Sequence, residues 1–158
     1  MEFLAHLEVS AASGLIHHGG FLYVVADDGL ELLRTDLLGT NALRLPISDA
    51  ARVSHIPKNV KPDFEALVIS GAELVAIGSG STAARCGAIA FDPVSRSRRS
   101  VDFRPLYDAL SQRIHELNIE GAVITQTEVL LGQRGNGAKK ENALVRLDRA
   151  VFEKELAR

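Results

Sequence analysis

The chain has 158 residues, of which 46% are hydrophobic and 24% are charged, and its formal net charge is −2. This is the composition of a globular domain with a core of its own, and no basic stripe predicts binding to nucleic acid or to an anionic membrane. The single cysteine excludes an intrachain disulfide, and we expect Cys86 to be a small buried residue rather than a nucleophile.

The N-terminus has neither the basic start nor the apolar segment of a signal peptide. No apolar stretch approaches the ~18 residues that a membrane-spanning helix needs. We therefore expect a cytoplasmic protein.

In chain order, the first predicted element is a lone strand within residues 1–9, formed by residues 3–9. It belongs to none of the units that follow, and we expect it to act as a closing strand. Residues 13–47 then read as four short strands that are separated by turns rich in glycine, and they form the first unit.

The rest of the chain is organised around one phrase that occurs twice. Residues 63–69 read DFEALVI and residues 118–124 read NIEGAVI, and each copy leads through an apolar run into a glycine-rich loop, at 78–87 and 132–140. The final strand of each unit ends on an aspartate, and Asp36, Asp92 and Asp148 are spaced 56 residues apart. Short strands that repeat at a fixed period of this size are typical of propeller blades.

This repeat predicts an all-β chain, a β-propeller with three four-stranded blades. Blade 1 is predicted over residues 13–47, blade 2 over 63–103 and blade 3 over 118–158. Between the last two, residues 104–117 change to helical spacing. The apolar positions of this inserted helix are Leu106, Leu110, Ile114 and Leu117.

The linker 48–62 brings Lys58 and Lys61 close in sequence to the first copy of the phrase. These lysines form either a solvated loop with surface ion pairs or a basic rim of a pocket. Residues 149–158 carry strong helix formers, although residues 154–158 could instead supply a last strand.

Several motifs together resemble one known family. They read KPDFEAL at 61–67, GSGS at 78–81, LNIEGA at 117–122 and QRGNG at 133–137. The chain resembles a little-characterised bacterial β-propeller family that is distantly similar to esterase-like and phytase-like propellers. Members of that family are nearly twice as long, with about six blades, so this chain is similar to half of a member.

Phytase-like propellers place acidic residues around a calcium-lined channel mouth, and the resemblance extends to Asp63, Glu65 and Glu120. The predicted topology brings the start of each innermost strand and the glycine loops to the same mouth. Carboxylates there are suitable ligands for calcium, and Glu65 and Glu120 are the predicted metal ligands. The candidate ligand-binding residues at this mouth are Asp63, Glu65, Asn118, Glu120, Arg85, Arg134, Asn136, Lys58 and Lys61.

Three interpretations of this mouth remain open: a structural network of ion pairs, a site for a small ligand or anion, and a metal-dependent hydrolase. The first two predict a propeller that is a binding or scaffold module for an unknown ligand, with a polar and acidic channel mouth. The alternative is a calcium-dependent phosphoester or ester hydrolase, although the repeats suggest neither a Ser-His-Asp nor a Cys-His arrangement.

Three blades cannot close a ring, so we expect assembly. Two chains related by a two-fold axis would form a six-bladed propeller if the N-terminal strand of each completed blade 3 of the other. A second half-propeller of different sequence is the alternative partner.

Overall fold

The computed structural model describes residues 3–50, 54–136, 138 and 140–158. Parts of three sequence-based predictions lie outside these ranges. They are the first two residues of the closing strand, residues 51–53 of the linker, and Gly137 and Lys139 of the second glycine loop.

Strands in the described ranges form three antiparallel sheets. The first contains β1 (Ala12–His18), β2 (Phe21–Ala26), β3 (Glu31–Thr35) and β4 (Leu43–Pro46). The second contains β5 (Phe64–Ser70), β6 (Glu73–Gly78), β7 (Gly87–Phe91) and β8 (Arg98–Asp102). The third contains β9 (Ile119–Ile124), β10 (Glu128–Gln133) and β11 (Ala143–Asp148). Two helices, α1 (Arg104–Ser111) and α2 (Arg149–Leu156), flank the third sheet in sequence.

Each sheet is one blade of a β-propeller-like array, in which strands pair in chain order from the inside outwards. The innermost strands β1, β5 and β9 lie side by side. The prediction of an all-β chain with repeated blades is therefore confirmed at this level. The described chain forms an open array of three blades and not a closed six-bladed ring.

In the described ranges blade 3 has three strands, whereas blades 1 and 2 have four, so the prediction of four strands in every blade of one chain does not hold for blade 3. This agrees with the expectation that a fourth strand of blade 3 would have to come from elsewhere. The chain turns into α2 directly after β11, because the Asp148 side chain accepts a hydrogen bond from the backbone N–H of Ala150 and caps the helix. Phe152 and Leu156 are then buried against blade 2 and blade 3. The alternative that residues 154–158 form a strand is wrong for the same reason.

Residues 3–9 contain no strand, contrary to the prediction for this segment. They lie over the outer part of blade 1, where Arg44 donates a hydrogen bond to the backbone carbonyl of Glu8. Phe3 and Leu4 are exposed. The alternating sequence of this segment suggested a strand, but the described ranges contain no neighbouring strand with which it pairs.

The core consists of two clusters, each between adjacent blades. Blades 1 and 2 enclose the first, which includes Tyr23, Val25, Phe64 and Phe91. Blades 2 and 3 enclose the second together with both α-helices, and Phe103 and Phe152 meet there edge to face with ring centroids 5.4 Å apart. Each cluster removes one face of two sheets from water, and this burial is the main stabilising term of the array.

The inserted helix α1 ends at Ser111, earlier than the predicted range of 104–117. All four predicted apolar positions are buried, but Ile114 and Leu117 lie beyond the end of the helix, so the helical stripe is confirmed for Leu106 and Leu110. The Tyr107 hydroxyl donates a 2.6 Å hydrogen bond to the carbonyl of Gly78, and so α1 holds the first glycine loop in place. No helix of the described ranges is long and apolar enough to cross a membrane.

Candidate functional site

The rim is the edge of the array where innermost strands begin and second strands end. Backbone hydrogen bonds join the blades there: the N–H of Asp63 donates to Asp27, and the N–H of Ile119 donates to Ser79. Within blade 2 the N–H of Ser79 donates to the carbonyl of Asp63. These bonds place the ends of β2 and β6 beside the starts of β5 and β9.

A β-bulge interrupts the pairing of each innermost strand at the same repeat position. The register shifts around Ser13 in β1, around Glu65 in β5 and around Glu120 in β9. A bulge leaves one residue unpaired and turns its side chain away from the regular alternation. The three bulges therefore present one serine and two glutamates at the rim.

Asp63 is the centre of an ion-pair network at the rim and is 5% exposed. Its carboxylate accepts from Lys61 Nζ at 2.7 Å, from Arg85 at 3.0 Å and from Ser79 Oγ at 2.6 Å. Burial alone would raise the pKa of Asp63, but the bonds from Lys61 and Ser79 hold that pKa below its ordinary value. The backbone of Asp63 has a φ of 57°, a left-handed conformation that aspartate and asparagine tolerate well.

Lys61 links this network to blade 1, because its ammonium contacts the carboxylates of both Asp27 and Asp63. Burial alone would lower the pKa of Lys61, but its two carboxylate partners raise that pKa above its ordinary value. Lys61 is therefore an internal cation of the site. It neutralises two carboxylates that belong to different blades.

Glu65 lies beside this network without joining it. Its half-buried carboxylate has no hydrogen bond or ion pair to another residue of the described ranges. Burial, followed by the negative charges of Glu120, Asp63 and Asp27, raises the pKa of Glu65 to about 7. Glu65 is consequently partly protonated near neutral pH.

The second glutamate of the rim is paired. Glu120 accepts a 2.7 Å hydrogen bond from the side-chain amide of Asn118 and a 3.3 Å contact from Arg134. Asn118 in turn donates its backbone N–H to the buried side chain of Gln133 at 2.7 Å. The structure thus groups the blade 3 residues of the predicted site separately from the network around Asp63.

The remaining predicted residues differ in how they reach the rim. Arg85 bridges Asp63, Ser81 Oγ and the backbone carbonyl of Lys58. Lys58 contributes this carbonyl, while the residue itself is exposed. Asn136 lines a surface cavity together with Ser81, Arg85 and Asn118.

Asp27 was missed by the sequence analysis, which identified Glu65 and Glu120 as metal ligands. One carboxylate oxygen from each of Asp27, Asp63 and Glu65 can be chosen so that all three lie within 4.8 Å of one another. Asp27 follows β2 directly, as Ser79 follows β6 and Arg134 follows β10. The signal that could have found it is this shared repeat position at the rim.

The sheets, their order and the rim define a β-propeller-like protein. The chain belongs to a family of unknown function (DUF6929), whose pattern matches residues 8–158. A comparison with curated protein sequences gives no match.

Among solved structures, a chain in the crystal structure of a nidogen/laminin complex is similar, with a TM-score of 0.53 and 13% sequence identity. The match covers 94% of this chain and 47% of that chain. The Cps50 (Swd1) beta-propeller domain of Myceliophteria thermophila gives a TM-score of 0.47 at 16% identity, over 94% of this chain and 44% of that one. The protein thus spans about half the length of these structures, and the likeness to the first shows the fold alone.

Proposed function

We propose that the protein is a propeller-type binding module that takes a positively charged ligand at the rim. The observation that carries this proposal is Glu65, a half-buried carboxylate that has no cation of its own in the described ranges. A binding or scaffold role is also what a propeller-like fold most simply supports, although a fold by itself does not define a ligand.

The other rim carboxylates already have partners. Lys61 bridges Asp27 and Asp63, and Arg134 contacts Glu120. Glu65 instead has its pKa raised to about 7 by burial and by those neighbouring negative charges. A cation that contacts Glu65 would remove this repulsion and favour the ionised carboxylate, so binding would release protons near neutral pH.

Calcium is the metal that suits this donor set, because carboxylate oxygens are its usual ligands. The residues that would hold it are Asp27, Asp63 and Glu65, since their oxygens lie within 4.8 Å of one another. Lys61 contacts two of these carboxylates, so a calcium ion would compete with its ammonium group. An organic cation on Glu65 alone would leave Lys61 where it is.

The alternative activity, a calcium-dependent phosphoester or ester hydrolase, has no observation in its favour. The family has no assigned function, and similarity at 13% identity carries no chemistry. A bacterial source and a cytoplasmic location also remain predictions from the sequence.

Titration calorimetry with calcium chloride and, separately, with argininamide tests the proposal. We expect saturable binding of at least one probe at about pH 8 and about tenfold weaker binding at about pH 6, where Glu65 is mostly protonated. Glu65→Gln should abolish the binding. Glu128→Gln is the matched control, because Glu128 contacts Arg146 on an exposed part of blade 3 away from the rim.

Competition with Lys61 separates the two kinds of cation. Lys61→Met should strengthen calcium binding and leave argininamide binding unchanged if calcium uses all three carboxylates. Failure of both probes to bind at about pH 8, or binding that survives Glu65→Gln, would overturn the proposal.

A further inference from the structure

Each pair of adjacent blades packs in the same way, so the uncovered faces at the two ends of the array can be compared with the covered faces between blades. The face of a blade that is turned towards the following blade is its downstream face, and the opposite one is its upstream face. Blade 3 meets blade 2 through Ala122, Leu131 and Val145 on its upstream face. Its downstream face carries the alternate positions, and no element of the described ranges covers them. The residues of this face are Gly121, Val123, Leu130, Gly132 and Leu144 near the rim, followed by the charged residues Arg146, Glu128 and Asp148 at the other end.

The half of this downstream face near the rim is apolar, exposed and shallow. Val123 is 58% exposed and Leu144 is 71% exposed. Gly121 pairs with Gly132 across the two strands, and a Cβ added at Gly121 would meet nothing within 4 Å. The paired glycines leave a furrow between two apolar side chains, a shape that accepts a protruding side chain from another sheet.

The blade 1–blade 2 contact shows what such a furrow receives. Gly14 holds the repeat position of Gly121, and a Cβ added there would lie 3.0 Å from the backbone N of Leu67 and 3.1 Å from its Cβ. Glycine in blade 1 thus permits the close approach of a leucine from the next innermost strand. At the blade 2–blade 3 contact the equivalent residues are Ala66 and Ala122.

Leu15 occupies the repeat position of Leu67, on the upstream face of blade 1, and it is 63% exposed. The exposed Leu15 and the open Gly121 therefore form the same large–small combination as Leu67 and Gly14. The upstream face of blade 1 therefore matches the downstream face of blade 3 in shape.

The charges at the rim are also complementary between the downstream face of blade 3 and the segment that precedes blade 1. In the blade 1–blade 2 contact, Asp27 directly after β2 forms an ion pair with Lys61. Lys61 lies two residues before Asp63, in the segment that leads into blade 2. Blade 3 has the opposite sign at the position of Asp27, because Arg134 follows β10 and is 62% exposed. The segment that precedes blade 1 carries the exposed acidic residue Glu8 beside the position of Lys61.

Residues 6–10 cover the outer part of the upstream face of blade 1, where Leu33 is 3% exposed. Cavities of about 410 Å³ and about 500 Å³ lie between this segment and blade 1, and Leu33 and Arg44 line both of them. The segment thus covers only the outer part of this face, and Leu15 on the innermost strand stays exposed, whereas a whole sheet covers the same face of blades 2 and 3.

From these matches we infer that a second copy of the chain docks on the downstream face of blade 3 through the upstream face of its own blade 1. Leu15 of the second copy enters the furrow at Gly121, and its Glu8 approaches Arg134. The contact is made twice around a two-fold axis, so the two copies form a closed isologous dimer. The inference does not depend on cation binding at Glu65.

Light scattering coupled to size exclusion, on the intact chain at micromolar concentration, tests the dimer. We expect a mass of twice 17.0 kDa for the wild type. Gly121→Val should give a folded monomer, or a dimer dissociation constant raised at least about tenfold, since an added Cβ meets nothing within 4 Å in one chain and the larger side chain fills the furrow. Val94→Ser is the control, because Val94 is exposed on a turn of blade 2 and its loss should leave the mass unchanged.

A charge exchange identifies the partner as a second copy. Arg134→Glu should weaken the dimer, and Arg134→Glu combined with Glu8→Arg should restore it, whereas a different partner protein would not be rescued. Circular dichroism confirms that each variant is folded. A wild type of 17.0 kDa, or a dimer that is unchanged in Gly121→Val, would overturn the inference.

Discussion

The two copies of the central phrase have nearly the same sequence and very different surroundings. In β5 the phrase is enclosed between two blades, and Val68 is 2% exposed. In β9 one face of the phrase packs on blade 2 and the other is open, so the equivalent Val123 is 58% exposed. The comparison teaches that the position of a blade in the array sets the burial of a residue, while the local sequence sets only the strand.

The polar ends of the two copies differ in the same way. Asp63 lies in a buried network with Lys61 and Arg85, which ties blade 2 to blade 1. Asn118 holds the equivalent position with a neutral side chain that supports Glu120 within blade 3. The charged version of the phrase stabilises a contact between blades, whereas the neutral version only orients its own strand.

The largest effect should come from matched truncations of the apolar faces. Val68→Ala removes two buried methyl groups and should lower the free energy of unfolding by about 2–3 kcal/mol. Val123→Ala removes the same atoms from an exposed position and should change it by less than about 0.5 kcal/mol in the monomer. Urea unfolding monitored by circular dichroism measures both values. Equal losses at the two sites would show that the face of Val123 is covered in solution.

A smaller loss should follow from neutralising the charged end. Asparagine tolerates the left-handed backbone at position 63, but Asp63→Asn removes the negative charge that accepts from Lys61 and Arg85. We expect it to lower the free energy of unfolding by about 1–3 kcal/mol near neutral pH. The pKa of Asp63 is lower in the folded chain than its ordinary value of 3.8. Its ionised form therefore stabilises the fold above that value, and this contribution disappears as the pH falls through the folded pKa.

Unfolding curves for wild type and Asp63→Asn, measured from neutral pH down to about pH 3, should therefore converge. Glu128→Gln removes an exposed partner of Arg146 and should cost less than about 0.5 kcal/mol at every pH. A constant difference between wild type and Asp63→Asn would mean that shape, and not charge, explains the loss.

The smallest effect should be a gain of stability at the bulge of β5. The pKa of Glu65 is raised from 4.5 to about 7, so the folded chain retains a proton that the unfolded chain has lost. The resulting destabilisation develops as the pH rises from about 4.5 to about 7 and is complete above that range. Glu65→Gln should therefore raise the free energy of unfolding by about 1 kcal/mol near pH 8, after allowance for solvent screening, and by almost nothing near pH 4.

Glu120→Gln provides the comparison in blade 3. It loses the contact with Arg134, so it should bring no gain of its own. It should also lower the pKa of Glu65, because the charge of Glu120 contributes to the shift. A titration of Glu65 by NMR that is unaffected by Glu120→Gln would show that the two carboxylates are not coupled.

The sequence was sufficient to predict the repeated blades, because alternation and a fixed period are local signals that each unit carries. It also indicated the buried stripe of α1, since Leu106 and Leu110 recur at helical spacing. It failed for residues 3–9, where the alternation has no partner strand in the described ranges. It did indicate that the chain after Asp148 carries helix formers and that blade 3 needs a strand from elsewhere, in agreement with α2.

At the rim, the sequence analysis selected Asp63, Glu65 and Glu120 from a shared phrase but overlooked Asp27. Asp27 comes from a different blade and is brought to Lys61 only by the packing of β2 against β5. The sequence also could not predict which charged partner each rim carboxylate has. Which glutamate obtains an arginine and which has none depends on side-chain distances that no spacing encodes.

The three bulges have a consequence for how the chain finds its native pairing. A strand that slips by one residue places its apolar side chains on the wrong face, which disfavours the slip wherever one face is buried. The bulges at Ser13, Glu65 and Glu120 mark one defined point along each inner hairpin, where the regular pairing must break. A slipped hairpin in blade 2 would place Glu65 on a face that a neighbouring blade covers, and the free-energy cost of burying its carboxylate disfavours the slipped pairing.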